Sequence, residues 1–258
     1  MPFFILGVFM KKLFVLWVVL FFALSLLAVE NSARRGALVL TFDDFGGENW
    51  VKADAVFKKY DAHATFLVSG EITPEKAAVM KKLQDAGHSV GLHTVKHRNA
   101  APLPGDIANY DEYFVKQVKP QLDACKKYNL RVRTFAYPNN RRSEESDKML
   151  FAHFDYLRAG WSNAKQPIYT PLAVLPDKMV LGGGGVGEYY KTDLNELKKL
   201  LDKAAETDSM IVFFSHNIYP KAPRVHMPTE WLVEILQYAR KLNMNIVGTD
   251  QLKNLKRR

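Results

Sequence analysis

The chain has 258 residues, 48% of them hydrophobic, and a formal net charge of +9. That length and apolar share support a sizeable core in one large α/β domain or two small ones, and a single cysteine excludes an intrachain disulfide. The basic excess suits anionic partners, but Lys and Arg are dispersed, with no stripe interleaved with aromatics, so no nucleic-acid partner is expected.

The first element is N-terminal. From Met10, "MKKLFVLWVVLFFALSLLAV" places Lys11 and Lys12 before 17 uncharged residues, Leu13 to Val29. This is the pattern of a signal peptide over 1–33, with a retained membrane anchor as the alternative. Met10 competes with Met1 as the start, and no clean A-x-A cleavage site is present. The expectation is an exported protein, periplasmic, secreted or anchored at the cell surface, touching membrane only through this segment. The folded domain is expected over 36–258, as a monomer.

Within it, short apolar runs alternate with longer amphipathic ones. The predicted strands are 37–42, 64–69, 89–93, 132–137, 156–160, 178–182, 210–215 and 245–248. Most are almost continuously apolar, as strands buried on both faces of a parallel sheet are. Helices are predicted between them. "TPEKAAVMKKLQDAG" carries Thr73 as N-cap, Pro74 at the first helical position and Gly87 at its end. The helix over 108–128 contains Pro120, which should kink or break it. Cys125 in that helix reads as a small buried hydrophobe. "LGGGGVGE", 181–188, lacks the G-K-[ST] of a phosphate loop and reads as a flexible loop. Eight strands alternating with helices predict a (β/α) barrel.

Polar residues cluster where these strands end. Asp43 and Asp44 follow the first, His93 and His97 the third, Tyr137 to Asn140 the fourth, Gly160 and Trp161 the fifth, and Ser215 to Asn217 the seventh. In parallel α/β folds that edge carries the site, so residues 170 positions apart should converge. The H-x-x-x-H spacing brings two imidazoles to one metal, and a carboxylate from another strand end completes a His–His–Asp set with an open position. Two adjacent carboxylates at a buried strand end are costly. A divalent cation relieves one, and the other is then placed to take a proton from water. His216 emerges at the mouth and suits a general acid.

Four stretches resemble the motifs of the polysaccharide deacetylases, the NodB-homology domain of carbohydrate esterase family 4. They are "TFDDF", "GHSVGLHTVKH", "FAYPNN" and "FFSH". The resemblance implies a distorted (β/α) barrel of seven to eight parallel strands and metal-dependent hydrolysis of acetyl groups. It implies Asp43 as base, Asp44, His93 and His97 as metal ligands, and His216 as acid. It also implies the Asn139 N–H as an oxyanion donor, with Tyr137, Pro138 and Trp161 about the substrate. The metal implied is zinc, with cobalt or nickel as substitutes. The substrate implied is an acetylated polysaccharide or peptidoglycan carrying N-acetyl groups, an O-acetyl (xylan-type) ester being the alternative, and a silent glycan-binding barrel the rival.

The chain departs from the pattern at three places. Phe45 stands where the first motif has glycine. Ala136 stands where the third has arginine, and no acid lies beside Trp161. Loss of that cation is expected to raise the Asp43 pKa, unless Arg141 or Arg142 reaches back to replace it.

Overall fold

The computed structural model describes residues 34–164, 167–221 and 225–255. The N-terminal segment discussed above lies outside them. No helix among the described residues is long and apolar enough to cross a membrane. Arg35–Arg258 forms one compact unit.

The strands are β1 (Ala37–Asp44), β2 (Thr65–Val68), β3 (Ser89–Leu92), β4 (Thr134–Ala136), β5 (Tyr156–Gly160), β6 (Met179–Gly185), β7 (Ser209–Ser215) and β8 (Asn245–Ile246). Among the described residues, β1 to β7 form a parallel barrel that closes where β7 pairs with β1. β8 is two residues long and pairs only with the foot of β1, at Ala37 and Leu38. β2 joins the same edge higher up, from Thr41 to Asp44. The short strand Thr170–Pro171 runs antiparallel to the start of β7.

Side-chain alternation divides the core in two. Leu38, Leu40 and Phe42 of β1 face outward into the larger cluster, beneath the helices. Ala37 and Val39 face inward, with Tyr156, Leu181, Met210 and Val212 filling the barrel. Continuing that inward row upward leads to Thr41 and then Asp43. The outer shell contains α1 (Glu48–Lys59), α2 (Pro74–Asp85), α3 (Lys119–Lys127), α4 (Glu144–Leu150), α5 (Leu194–Glu206) and α6 (Thr229–Lys241). Thr73 caps α2 as its sequence indicates, its side chain accepting from the Lys76 N–H. Cys125 is 1% exposed inside the larger cluster.

The expected break near Pro120 takes a specific form. A π-helical turn, Phe114–Val118, precedes α3 and absorbs the hydrogen bond that proline cannot make. Gln117, buried in that turn, braces the loop after β3. Its carbonyl accepts from the Val95 N–H and its side-chain oxygen from the Lys96 N–H.

The glycine run is not a loop. Met179–Gly185 is a buried barrel strand with five register partners on β5. Its glycines are there to make room. A Cβ on Gly184 would lie 2.5 Å from the Trp161 ring, and one on Gly183 would meet Phe214 at 3.1 Å and Arg158 at 3.4 Å. Periodicity misses such a strand because its apolar faces are supplied by neighbouring rings. Gly184→Ala is therefore expected to cost about 1–3 kcal/mol through overpacking. Denaturant unfolding measures this, and parent-like stability would show that the rings yield freely.

His88, the lead-in histidine of the second motif, is structural. Its Nδ1 accepts from the Ala64 N–H at 3.1 Å, so Nε2 carries the proton and donates to Asp54 Oδ1 at 3.3 Å. Burial pushes its pKa from 6.5 down to about 4, against the pull of Asp54. The unfolded chain therefore binds a proton that the folded chain refuses between these values. Stability conferred by the neutral ring is complete above pH 6.5 and falls as pH drops toward 4, by about 3 kcal/mol in all. The difference in unfolding free energy between parent and His88→Leu should shrink over this window; a pH-independent difference would reject the assignment.

Candidate active site

The β1 end is sharply bent. Asp44 has φ 74°, and Gly47, with φ 55°, opens α1. The Asp44 carbonyl accepts from the Ser69 N–H at 2.7 Å, which fixes the turn to β2. His93 leaves β3 with its N–H on the Val68 carbonyl. Thr94 and His97 take left-handed φ values of 67° and 48°, which fold the loop back so that both imidazoles face one point. Non-glycine residues in this conformation gather at functional sites, where the surroundings hold the strain.

The donor atoms form a triangle. His93 Nε2 and His97 Nε2 are 3.1 Å apart, and Asp44 Oδ1 lies 3.7 Å from the first and 3.8 Å from the second. His93 Nδ1 donates to the Ala136 carbonyl at 2.8 Å, so its Nε2 presents a lone pair to this point. Burial also pushes the His93 pKa down, which favours the neutral ring that a ligand needs. A tetrahedral ion with bonds of about 2.0–2.2 Å requires donor separations of about 3.3–3.6 Å, and the triangle's 3.1–3.8 Å separations bracket that range, within small side-chain shifts of holding a divalent ion.

Asp43 and His216 flank this triangle. His216 Nδ1 donates to the Val225 carbonyl at 3.2 Å, and its Nε2 lies 3.8 Å from Asp44 Oδ2. Trp50 Nε1 donates to the His216 carbonyl and ties α1 to the end of β7. Asp43 is 4% exposed, and its Oδ1 has no hydrogen-bond partner among the described residues.

The expected loss of the cation beside Asp43 is overturned. Arg158, in the middle of β5 and 1% exposed, donates from Nη2 to Asp43 Oδ2 and from Nη1 to Asn140 Oδ1 at 2.6 Å. Its guanidinium lies 4.5 Å from the Phe214 ring centroid. Arg158 is the register partner of Ala136, so the cation has moved one strand along the same row. Arg142 is instead paired with Asp147. Arg141 is exposed, and neither residue takes the place of the missing arginine. The pKa expectation reverses with it. Burial drives the Asp43 pKa up, but Arg158, His93 and His216 outweigh burial and hold it below its ordinary value.

The turn after β4 carries Tyr137, Pro138 and Asn139. Tyr137 is buried and its hydroxyl donates to Asp147 Oδ1 at 2.6 Å. Pro138 is buried as well. Asn139 is exposed with φ 52°, at the start of a short 3-10 turn where the first amides lack helical partners. Its side chain donates to Asn99 Oδ1. Trp161 stands at the end of β5 against Phe213, with its indole N–H buried and unpartnered among the described residues.

The chain is similar to known proteins in both sequence and fold. Residues 30–153 match the family model described as polysaccharide deacetylase. A peptidoglycan-N-acetylglucosamine deacetylase from Bacillus cereus is 34% identical over 70 residues, which is 27% of this chain and 26% of that protein. The chain spans a third or less of the length of the curated relatives it matches. Among solved structures, a CE4 family pseudoenzyme from Bacillus anthracis aligns with TM-score 0.58 at 18% identity, over 84% of this chain and 65% of that one. A family 4 acetyl xylan esterase from Clostridium thermocellum, in complex with a cobalt ion, aligns with TM-score 0.54 at 18% identity, over 85% and 91%. The matched stretch contains the strand ends bearing Asp43, Asp44, His93 and His97, and the barrel is the one these solved structures share: the chain is similar to the polysaccharide deacetylases in sequence over that stretch and in fold over most of its length.

Proposed function

We propose that the protein is an exported, metal-dependent hydrolase that removes N-acetyl groups from a cell-wall or extracellular polysaccharide. The observation that carries this reading is the arrangement of five side chains: three donors of Asp44, His93 and His97 about one point, with Asp43 and His216 beside them. A glycan-binding barrel has no use for a buried carboxylate with an open oxygen.

Asp44, His93 and His97 hold the divalent ion, with zinc the best match to a two-imidazole, one-carboxylate set. When bound, the ion supplies Lewis acidity toward the acetyl carbonyl and lowers the pKa of water. Asp43 accepts the proton of the attacking water at Oδ1, while Arg158 holds the other carboxylate oxygen and keeps the base ionised. The Asn139 N–H donates to the acetyl oxygen as it gains charge. His216 has committed Nδ1 to Val225, so Nε2 is the atom that delivers a proton to the departing nitrogen. Trp161 walls the acetyl group. The apolar run Leu13–Val29 supports the export part of the reading, and the mass of the native protein tests whether it is removed.

The deciding experiment is acetate release from N-acetylglucosamine oligomers, peptidoglycan and acetylated xylan, with metal-loaded and chelated protein. Release from the N-acetyl substrates that chelation abolishes is expected. Release confined to xylan would make the protein an O-acetyl esterase, and release from nothing would make it a binding barrel.

A further inference from the structure

We propose that Tyr189 and Tyr190 form a sugar-binding platform beside the site, which stacks on the pyranose next to the acetylated residue. The proposal rests on the deacetylase reading and adds a subsite to it. Among the described residues, Tyr189 is the exposed large aromatic, at 65% exposure. An exposed ring joined to a second ring that borders the site offers a contact surface.

The pair follows the end of β6 after three intervening residues, and its Tyr190 sits against His216. The Tyr190 ring lies parallel to the His216 ring, with centroids 6.5 Å apart and planes 8° apart, and meets Phe214 edge-on at 5.1 Å. Tyr189 stands perpendicular on Tyr190 at 5.2 Å. The exposed ring is thus one ring beyond the ring that borders His216. On the deacetylase reading, this places it beside the imidazole that protonates the leaving nitrogen, within reach of a neighbouring sugar.

The loop is built to hold this geometry. Gly185 lacks the Cβ that would collide with the Tyr190 ring. Thr192 Oγ1 donates back to the Gly185 carbonyl at 2.7 Å, and Tyr190 N–H closes a turn on the Gly187 carbonyl. Gly187 has φ 137° and Lys191 φ 53°, backbone states that bring the turn back on itself. A ring held in advance loses little freedom on binding, so its contact area converts into affinity. A pyranose offers such a ring a face of C–H bonds, and its hydroxyls stay at the edges in water.

Tyr189→Ala and Tyr189→Phe test this on N-acetylglucosamine tetramer and on a small chromogenic acetyl ester. Tyr189→Ala is expected to raise KM for the tetramer roughly 2–10-fold, with a smaller change for the ester, and Tyr189→Phe to restore the parent value because only the ring face is used. Parent-like tetramer KM in Tyr189→Ala, or equal losses on both substrates, would overturn the platform while leaving the deacetylase reading intact. If the parent releases acetate from no glycan, calorimetric binding of the same tetramer and of xylotetraose decides separately. Weaker binding by Tyr189→Ala then supports the platform; equal affinity, or no binding by the parent, rejects it.

Discussion

Asp43→Asn is expected to lower kcat/KM by about 10²–10⁴-fold while leaving metal content close to that of the parent, since on the proposed reading it removes a base and not a ligand. The amide keeps the shape of the carboxylate but cannot take up a proton. Asp44→Asn should do the opposite at the first step and lose the ion, because Asp44 supplies the oxygen corner of the donor triangle. Elemental analysis beside kinetics separates the two. Metal lost from Asp43→Asn and kept by Asp44→Asn would exchange their roles. The neighbours are distinguishable in the fold before any assay. Asp43 continues the inward row of β1 and is 4% exposed, whereas the Asp44 side chain is 48% exposed at the mouth.

Arg158→Ala is expected to cost about 3–5 kcal/mol of unfolding free energy, because it strands a buried carboxylate without its cation. Ala136→Arg alone should also destabilise, since it drives a second guanidinium into the row that Arg158 fills. Combining Ala136→Arg with Arg158→Ala should recover part of both losses, as the two positions are register partners on adjacent strands. Denaturant unfolding of the three variants measures this as a double-mutant cycle. Additive losses would show that the two positions do not serve one function. A loss under about 1 kcal/mol in Arg158→Ala would mean that Asp43 is not held as an ion by this pair.

Most of the frame was legible because parallel barrel strands are buried on both faces and stand out as apolar runs. All eight predicted strands exist, with ends displaced by a few residues. The convergence of Asp43, Asp44, His93, His97 and His216 followed from their places at strand ends. Two parts were not legible for the same reason: they depend on neighbours far away in sequence. The glycines of β6 look like a loop until Trp161 and Phe214 are seen to occupy the space of their missing side chains. Arg158 looks like an interruption of an apolar strand. Its signal was present nonetheless, since arginine at the centre of a buried strand requires a partner inside, and Asp43 was the acid already in need of one. The bond from the Tyr137 hydroxyl to Asp147 was not legible either, since its acceptor lies ten residues on, in α4.

The shared register of Ala136 and Arg158 has a consequence for inheritance. Neighbouring strands in a closed sheet run about 4.8 Å apart, a gap that a single arginine side chain spans. A charge needed at one height of the barrel can therefore be supplied from either adjoining strand, and a lineage can exchange one source for the other without rebuilding the site. Motifs written along the chain record only one of these solutions. A barrel that uses the other looks like a decayed copy in one dimension, though a guanidinium still stands beside Asp43.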